Sequence, residues 1–304
     1  MHNQRSDLVI SPATQGDCRV IARLMLARRE DEPRFRKLAR SPIRRFIYER
    51  WVAPRFLSHR ADAFRADIGS ELAGYLILLY EHPSVVVLDV AALKRFKERG
   101  IEDRLLAHAE ETARQREYPY LRAVLSPGDV YTVECFQRAG FQPLEFRRWE
   151  FVGTVTACEV PKGIKMRPLV GRAAVERRIH YLRVELDEVQ PAGRELIETH
   201  YLPRRPSLGQ SFELMHDGEP FGFLSARRER KTYVLDLCTL PEWWGDELEV
   251  ALVAAFPTAA AQAKEAQVRL RLSTTPHAEA VTEPLLALGL DRIPADPGIW
   301  FKAL

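Results

Sequence analysis

Between Ser84 and Arg116, the 304-residue chain sets out residue types in an order suited to holding an anion. Ser84 to Val90 is an apolar, β-branched run, the pattern of a strand buried on both faces. A basic connector follows, Lys94-Arg95-Phe96-Lys97-Glu98-Arg99-Gly100, and then a helical pattern with Ile101, Leu105, Ala109 and Ala113 on one face. Free N–H groups and the positive end of the helix dipole converge at such a junction, where a phosphate can sit. Lys97, Arg99, Gly100 and Ile101 are its candidate binding residues, with Asp129 starting the next helix. Glu81 and His82 end the apolar run Leu72–Tyr80. Asp89 interrupts its strand, and a carboxylate there needs a partner if buried.

The elements that must position these residues are readable on either side. Leu8–Ile10 is a short strand, and Thr14 or Asp17 caps a helix over about Cys18–Arg29. Residues 34–60 are helical and arginine-rich, and Phe64–Ile68 with Leu72–Tyr80 form a hairpin across Gly69-Ser70. Tyr120–Leu125 is a further strand, and the turn Ser126-Pro127-Gly128-Asp129 starts a helix, Val130–Ala139, that ends at Gly140. Phe141–Val152 is expected to close the first half as a strand.

Thr154–Gly163 has no periodicity, and past it the same order returns. Met166-Arg167-Pro168 echoes Ile10-Ser11-Pro12, and Phe221-Gly222-Phe223-Leu224 echoes Ala73-Gly74-Tyr75-Leu76. Leu235-Asp236-Leu237 echoes Leu88-Asp89-Val90, Leu272-Ser273 echoes Leu125-Ser126, and Leu288-Gly289-Leu290 echoes Ala139-Gly140-Phe141. Matches in order, most at offsets of 147 to 149, indicate a tandem duplication, with domains expected at 1–157 and 158–304. The second copy departs in its loop, Glu242-Trp243-Trp244-Gly245-Asp246-Glu247, which has three acids and no base. Pro257 is expected to interrupt its following helix, and Trp243-Trp244 to fill a core or an interface.

With these motifs in place, residues 5–152 resemble the GNAT superfamily of acyl-CoA-dependent N-acyltransferases. Its landmark, a strand followed by R/Q-x-x-G-x-G/A opening a helix, corresponds to Lys97-Glu98-Arg99-Gly100-Ile101-Glu102. A second landmark, an Asn and then a helix with Tyr four residues before Gly-Phe, corresponds to Asp129 and to Phe136 before Gly140-Phe141. The resemblance implies an α/β (α+β, three-layer) fold: two tandem GNAT-like domains, each a mixed, mostly antiparallel sheet flanked by helices, the second degenerate. It implies acetyl-CoA as co-substrate, with backbone groups of Val90 and Ala92 pairing with the pantetheine arm and the Lys97–Glu102 loop amides holding the pyrophosphate. The activity implied is acetyl transfer to an amine of a small molecule or peptide by direct attack, with Leu285 at the Tyr position of the second copy.

Three residues depart from that pattern. Glu98 and Glu102 stand where it has small residues, and a carboxylate about 5 Å from a phosphate costs roughly 3 kcal/mol at an effective dielectric of about 20. Phe136 has no proton to give, so the resemblance leaves the neighbouring Tyr131 as a candidate proton donor, and it makes Glu81, at a strand end near the mouth expected in this fold, a candidate general base. A catalytically inactive pseudo-acetyltransferase with a binding or scaffolding role is therefore the alternative.

Composition excludes other classes. The net charge of +3 is too small to argue for nucleic acid by itself, although Arg19–Arg60 alone carries +9 and could offer a weaker nucleic-acid-contacting face. Cys18, Cys135, Cys158 and Cys238 form no CxxC pair, so neither a zinc site nor a disulfide framework is expected. No apolar run is long enough for a signal peptide or a membrane span, so a cytoplasmic protein without membrane partners is expected, with a homodimer left open. There is no GxGxxG, GxxxxGK[ST], HExxH or GxSxG.

Overall fold

The computed structural model describes residues 8–28, 41–125, 129–160, 162–190, 193–200, 209–293 and 298–304. Expectations for residues 34–40 and for the turn Ser126-Pro127-Gly128 lie outside them. The chain forms two compact units, Met1–Pro143 with Ile299–Leu304, and Leu144–Gly298.

In the first unit, β1 (Leu8–Pro12), α1 (Gln15–Arg28) and the helical stretch α2 (Pro42–Ile47) to α3 (Ala53–His59) lead into the sheet. Strands β2 (Ala61–Ile68), β3 (Glu71–Glu81) and β4 (Ser84–Ala92) run antiparallel in turn, and the hairpin across Gly69-Ser70 pairs as its sequence suggests. After α4 (Ile101–Gln115), β5 (Tyr120–Leu125) lies parallel to β4, and α5 (Val130–Arg138) and β6 (Gln142–Pro143) follow. Helix α4 packs as its periodicity predicts, with Ile101, Leu105, Ala109 and Ala113 buried against the sheet.

The second unit repeats this plan with β7 (Phe146–Thr156), β8 (Ile164–Leu169), α6 (Gly171–Val189), α7 (Arg194–His200), β9 (Gln210–His216), β10 (Glu219–Glu229), β11 (Thr232–Thr239), α8 (Glu247–Ala261), β12 (Glu265–Thr274), α9 (Thr275–Ala280), α10 (Thr282–Ala287) and β13 (Leu290–Arg292). Helix α8 runs through Pro257 rather than breaking there. The lost N–H bond is outweighed by an apolar helix in which Leu252, Val253, Ala255 and Phe256 are buried.

The two sheets have orders β1-β2-β3-β4-β5-β14-β6 and β8-β9-β10-β11-β12-β7-β13, where β14 is Gly298–Ala303. Each takes its sixth strand from the other half of the sequence. The run expected to close the first half is therefore split. Only Gln142-Pro143 stays in the first sheet, while β7 pairs with β12 from Thr156↔Glu265 to Phe146↔Thr274. The compact units accordingly divide at 143/144, with a returning C-terminal strand, rather than at the expected 157/158.

One irregularity prepares the site. The β3–β4 register slips between Ile77 and Leu78, leaving Leu88 as an extra residue in β4. Such a bulge bends its strand, and β4–β5 pairing stops at Val87↔Ala123. In the second unit β10–β11 pairing is unbroken, and β11–β12 pairing runs on through Asp236↔Arg271.

Phe301 is fully buried, with its ring 6.3 Å from that of Tyr120. Phe301→Ala is expected to destabilise the first unit by about 3–5 kcal/mol, seen as faster amide exchange in β4 and β5 with β11 unaffected.

Candidate active site

Past Val87, the parting of β4 from β5 leaves a cleft lined by Asp89, Val90, Val124, Leu125 and Phe136. Beside it, at the C-terminal end of β4, is a cavity of about 670 Å³. Its lining includes Tyr75, Ala91, Ala92, Lys94, Arg95, Lys97, Glu102, Asp129, Tyr131 and Thr132. Arg28, at the end of α1, lies between the two spaces. Its guanidinium donates to Asp89 Oδ1 (2.9 Å), the Val90 carbonyl (2.6 Å) and Thr132 Oγ1 (2.7 Å), and it reaches Asp129 at 3.4 Å. Tyr75 donates to the other oxygen of Asp89 at 2.8 Å, so the buried carboxylate has the partners its burial demands.

The cavity's other wall is the start of α4. Gly100 caps that helix at φ 69°, a left-handed conformation that suits glycine, and no side chain bonds to the helix's first amides from the cap position. Gly74 lets the helix approach β4, because a Cβ there would meet the Ala91 carbonyl and Ile101 Cγ2, each at 2.8 Å. Lys94, Arg95, Lys97 and Arg99 are exposed around this terminus. Lys97 Nζ sits 5.2 Å over the Tyr131 ring, and Arg99 stacks over Phe96 rather than lining the cavity.

The two glutamates part company. Glu98, at φ 67°, is exposed. Glu102 is 5% exposed, and its Oε1 accepts from the Ala92 N–H at 3.1 Å. Burial, then the charge of Glu102, push the Tyr131 hydroxyl up to about 12. Asp129 accepts from the amide and hydroxyl of Thr132. Burial would raise its pKa, but Thr132 and Arg28 hold it below the usual carboxylate range.

Of the sequence candidates, Ala92, Lys97, Asp129 and Tyr131 thus line one cavity, Val90 lines the adjoining cleft, and Gly100 and Ile101 form the helix start. Glu81 is not among them. It ion-pairs with Arg122 at the opposite end of β4, and the nine residues of that strand span roughly 26 Å between end Cα atoms at about 3.3 Å per residue. Phe136 is buried edge-on against Phe141, with ring centroids 4.8 Å apart. Sequence reasoning missed Arg28 and Tyr75. Their one signal was Asp89, a carboxylate in an apolar strand that required such partners.

The corresponding junction of the second unit is closed. Asp246 caps α8 by accepting from the Leu248 N–H, and Glu249 Oε2 accepts from the Gly245 N–H at 2.9 Å. Glu249 Oε1 also accepts from Thr239 (2.6 Å) and meets Nε2 of the fully buried His277 (2.7 Å), whose Nδ1 meets Glu185 at 3.1 Å. Trp244 stacks on His277 at 5.3 Å, while Trp243 packs against Phe221. The tryptophan pair therefore fills this junction and the adjacent core.

Residues 24–141, which hold the open junction, match the family model for the acetyltransferase (GNAT) family. They form a GNAT domain. Several solved structures are similar to the chain. A tandem GNAT protein from the clavulanic acid biosynthesis pathway, solved without AcCoA, is 18% identical over 98% of both chains, with a TM-score of 0.40. A GCN5-related N-acetyltransferase from Sphaerobacter thermophilus is 15% identical over 97% of this chain and 95% of its own, at 0.46. An acetyltransferase from Bacillus subtilis in complex with CoA is 18% identical over 46% of this chain and 80% of its own, at 0.33. No curated protein matches the chain. The second unit repeats the strand order of the GNAT domain, so the chain is a tandem of two GNAT-like folds. Among the described residues, no helix is long and apolar enough to cross a membrane, and no cluster of His, Cys, Asp and Glu could hold a metal ion.

Burial alone would lower the pKa of His277, but the flanking Glu249 and Glu185 carboxylates raise it to about 10. A histidine whose folded pKa lies above its unfolded value of 6.5 stabilises the fold fully below that value and loses the contribution as pH rises through about 10. The thermal midpoint of the second unit is expected to fall over this window. His277→Gln should lower it at neutral pH and flatten the slope, whereas a flat wild-type profile would contradict a buried imidazolium.

Proposed function

We propose that the first unit transfers an acetyl group from acetyl-CoA to an amine of a small molecule or peptide, in the cytoplasm, and that the second unit is a degenerate copy binding no cofactor. The carrying observation is the uncapped start of α4, ringed by Lys94, Arg95 and Lys97 and opening on the 670 Å³ cavity at the end of β4. Main-chain donors at a helix N-terminus with basic side chains suit a diphosphate. The residues present fit acetyl-CoA except at Glu102, which takes for itself the Ala92 N–H at the strand end that would align the pantetheine arm.

Acetyl-CoA would supply an activated thioester, so the protein's share is binding, orientation and proton traffic. Lys97, Gly100 and Ile101 would hold the diphosphate, and the end of β4 would align the pantetheine arm. Arg28 ties Asp89 to Asp129 across the parted strands and keeps that alignment rigid. Neither Phe136 nor Tyr131 is suited to protonate the leaving thiolate. Phe136 has no proton, and in the free protein burial and the charge of Glu102 push the Tyr131 hydroxyl up to about 12, which makes it a poor donor. A thiolate departs without a donor near neutral pH, which supports direct attack by the neutral amine.

Two observations, the buried Glu102 and the Phe at position 136, favour a second reading, an inactive pseudo-acetyltransferase. Titration calorimetry separates the two. Acetyl-CoA is expected to bind saturably with a micromolar Kd, weakened at least about tenfold (about 1.4 kcal/mol) by Lys97→Glu and by Gly100→Val, which puts a β-branched residue at a left-handed position. A folded wild type that shows neither heat nor thermal shift with acetyl-CoA would establish the pseudo-acetyltransferase.

A further inference from the structure

We propose that Glu102 is a displaceable latch: in the free protein its carboxylate occupies the main-chain donor at the end of β4, and the acyl donor must expel it, its pantetheine arm competing for that amide while its diphosphate repels the carboxylate. This rests on the acyl-CoA reading above and adds how access to that site is controlled.

A glutamate in the first turn of a helix can serve simply by complementing the dipole, but that role asks for no burial. Asp103 beside it, partly exposed, already fills it. Glu102 instead folds inward to 5% exposure and bonds to Ala92, ten residues earlier. Taking a carboxylate out of water is unfavourable unless donors replace the water. Among the described residues, the hydrogen bond to Glu102 comes from one amide, with the Tyr131 hydroxyl close enough to feel its charge.

The second unit carries the permanent form of the same device. At the repeat offset of 147, Glu102 corresponds to Glu249 and Ala92 to Thr239. Glu249 is held by the Gly245 amide, the Thr239 hydroxyl and His277, which Glu185 grips from behind and Trp244 covers. Position for position, Glu249 is clamped by a buried histidine and two further donors, and Glu102 is held by a single amide. Glu102 can be displaced by a competing anion at far less expense than Glu249. The cavity that stays open beside Glu102 and the basic rim of Lys94, Arg95 and Lys97 mark where that anion enters.

The test is calorimetric titration of the full chain with CoA, together with thermal midpoints with and without CoA, for wild type, Glu102→Ala and Glu102→Gln. Both variants are expected to bind CoA more tightly than wild type, Glu102→Ala by at least about tenfold. The free Glu102→Ala protein should also melt below the free wild type, a deficit that shrinks at saturating CoA. Binding by the variants with none by wild type would show that the acyl donor cannot expel Glu102, and would overturn the latch. If wild type binds CoA and neither variant binds it more tightly, the latch is refuted and the acyl-CoA reading stands. If none of the three binds, the acyl-CoA reading falls and takes the latch with it. Should Glu102→Ala fail to fold, Glu102→Gln, which keeps the shape and removes the charge, decides the matter alone.

Discussion

Everything at the open junction depends on where the first amides of α4 find their partners. A helix begins with N–H groups that its own carbonyls cannot reach, and the two halves of the chain resolve this differently. In the second half, Asp246 and Glu249 supply the acceptors, and a buried histidine fixes Glu249 in place. In the first half, Gly100 contributes no side chain, and the cavity beside the helix start is lined by Lys94, Arg95 and Lys97 as well as by Glu102. The same secondary structure is thereby sealed in one copy and receptive in the other, and the difference comes down to a handful of side chains.

The sheet supplies the second half of the contrast. The extra residue at Leu88 turns β4 away from β5 and exposes the strand end to which the site is fitted, while unbroken pairing keeps β11 against β12 for longer. Arg28 then spans the opened gap, neutralised on both sides by Asp89 and Asp129. The bulge opens the space and the guanidinium sets its limit.

The elements and their duplication were legible in the sequence because they rest on local signals. These include the β-branched run at Ser84–Val90, the 3.6-residue stripe of Ile101, Leu105, Ala109 and Ala113, and the recurrence of Leu-Asp within both fourth strands. What escaped was non-local. Nothing in Phe146–Thr156 says that it pairs with β12 rather than with its own half, since a strand reads the same whichever neighbour it joins. Pro257 reads as a helix breaker, and only the buried face of α8 overrides it. Glu81 appeared well placed because strand ends look alike in sequence, while the structure puts it at the end of β4 away from the cavity. Glu98 and Glu102 both looked like obstacles to an anion, yet only Glu102 turns inward, a choice made by the main-chain donor at Ala92 and by Tyr131.

The central claim is that one helix start in this chain is receptive to a diphosphate and its repeat is not. Hydrogen exchange with and without saturating acetyl-CoA tests it most directly, because it reads the amides themselves. The account predicts slowed exchange in the segment from Leu93 to Arg104 and no change from Leu240 to Val250. Protection in the second segment, or in neither, would contradict it.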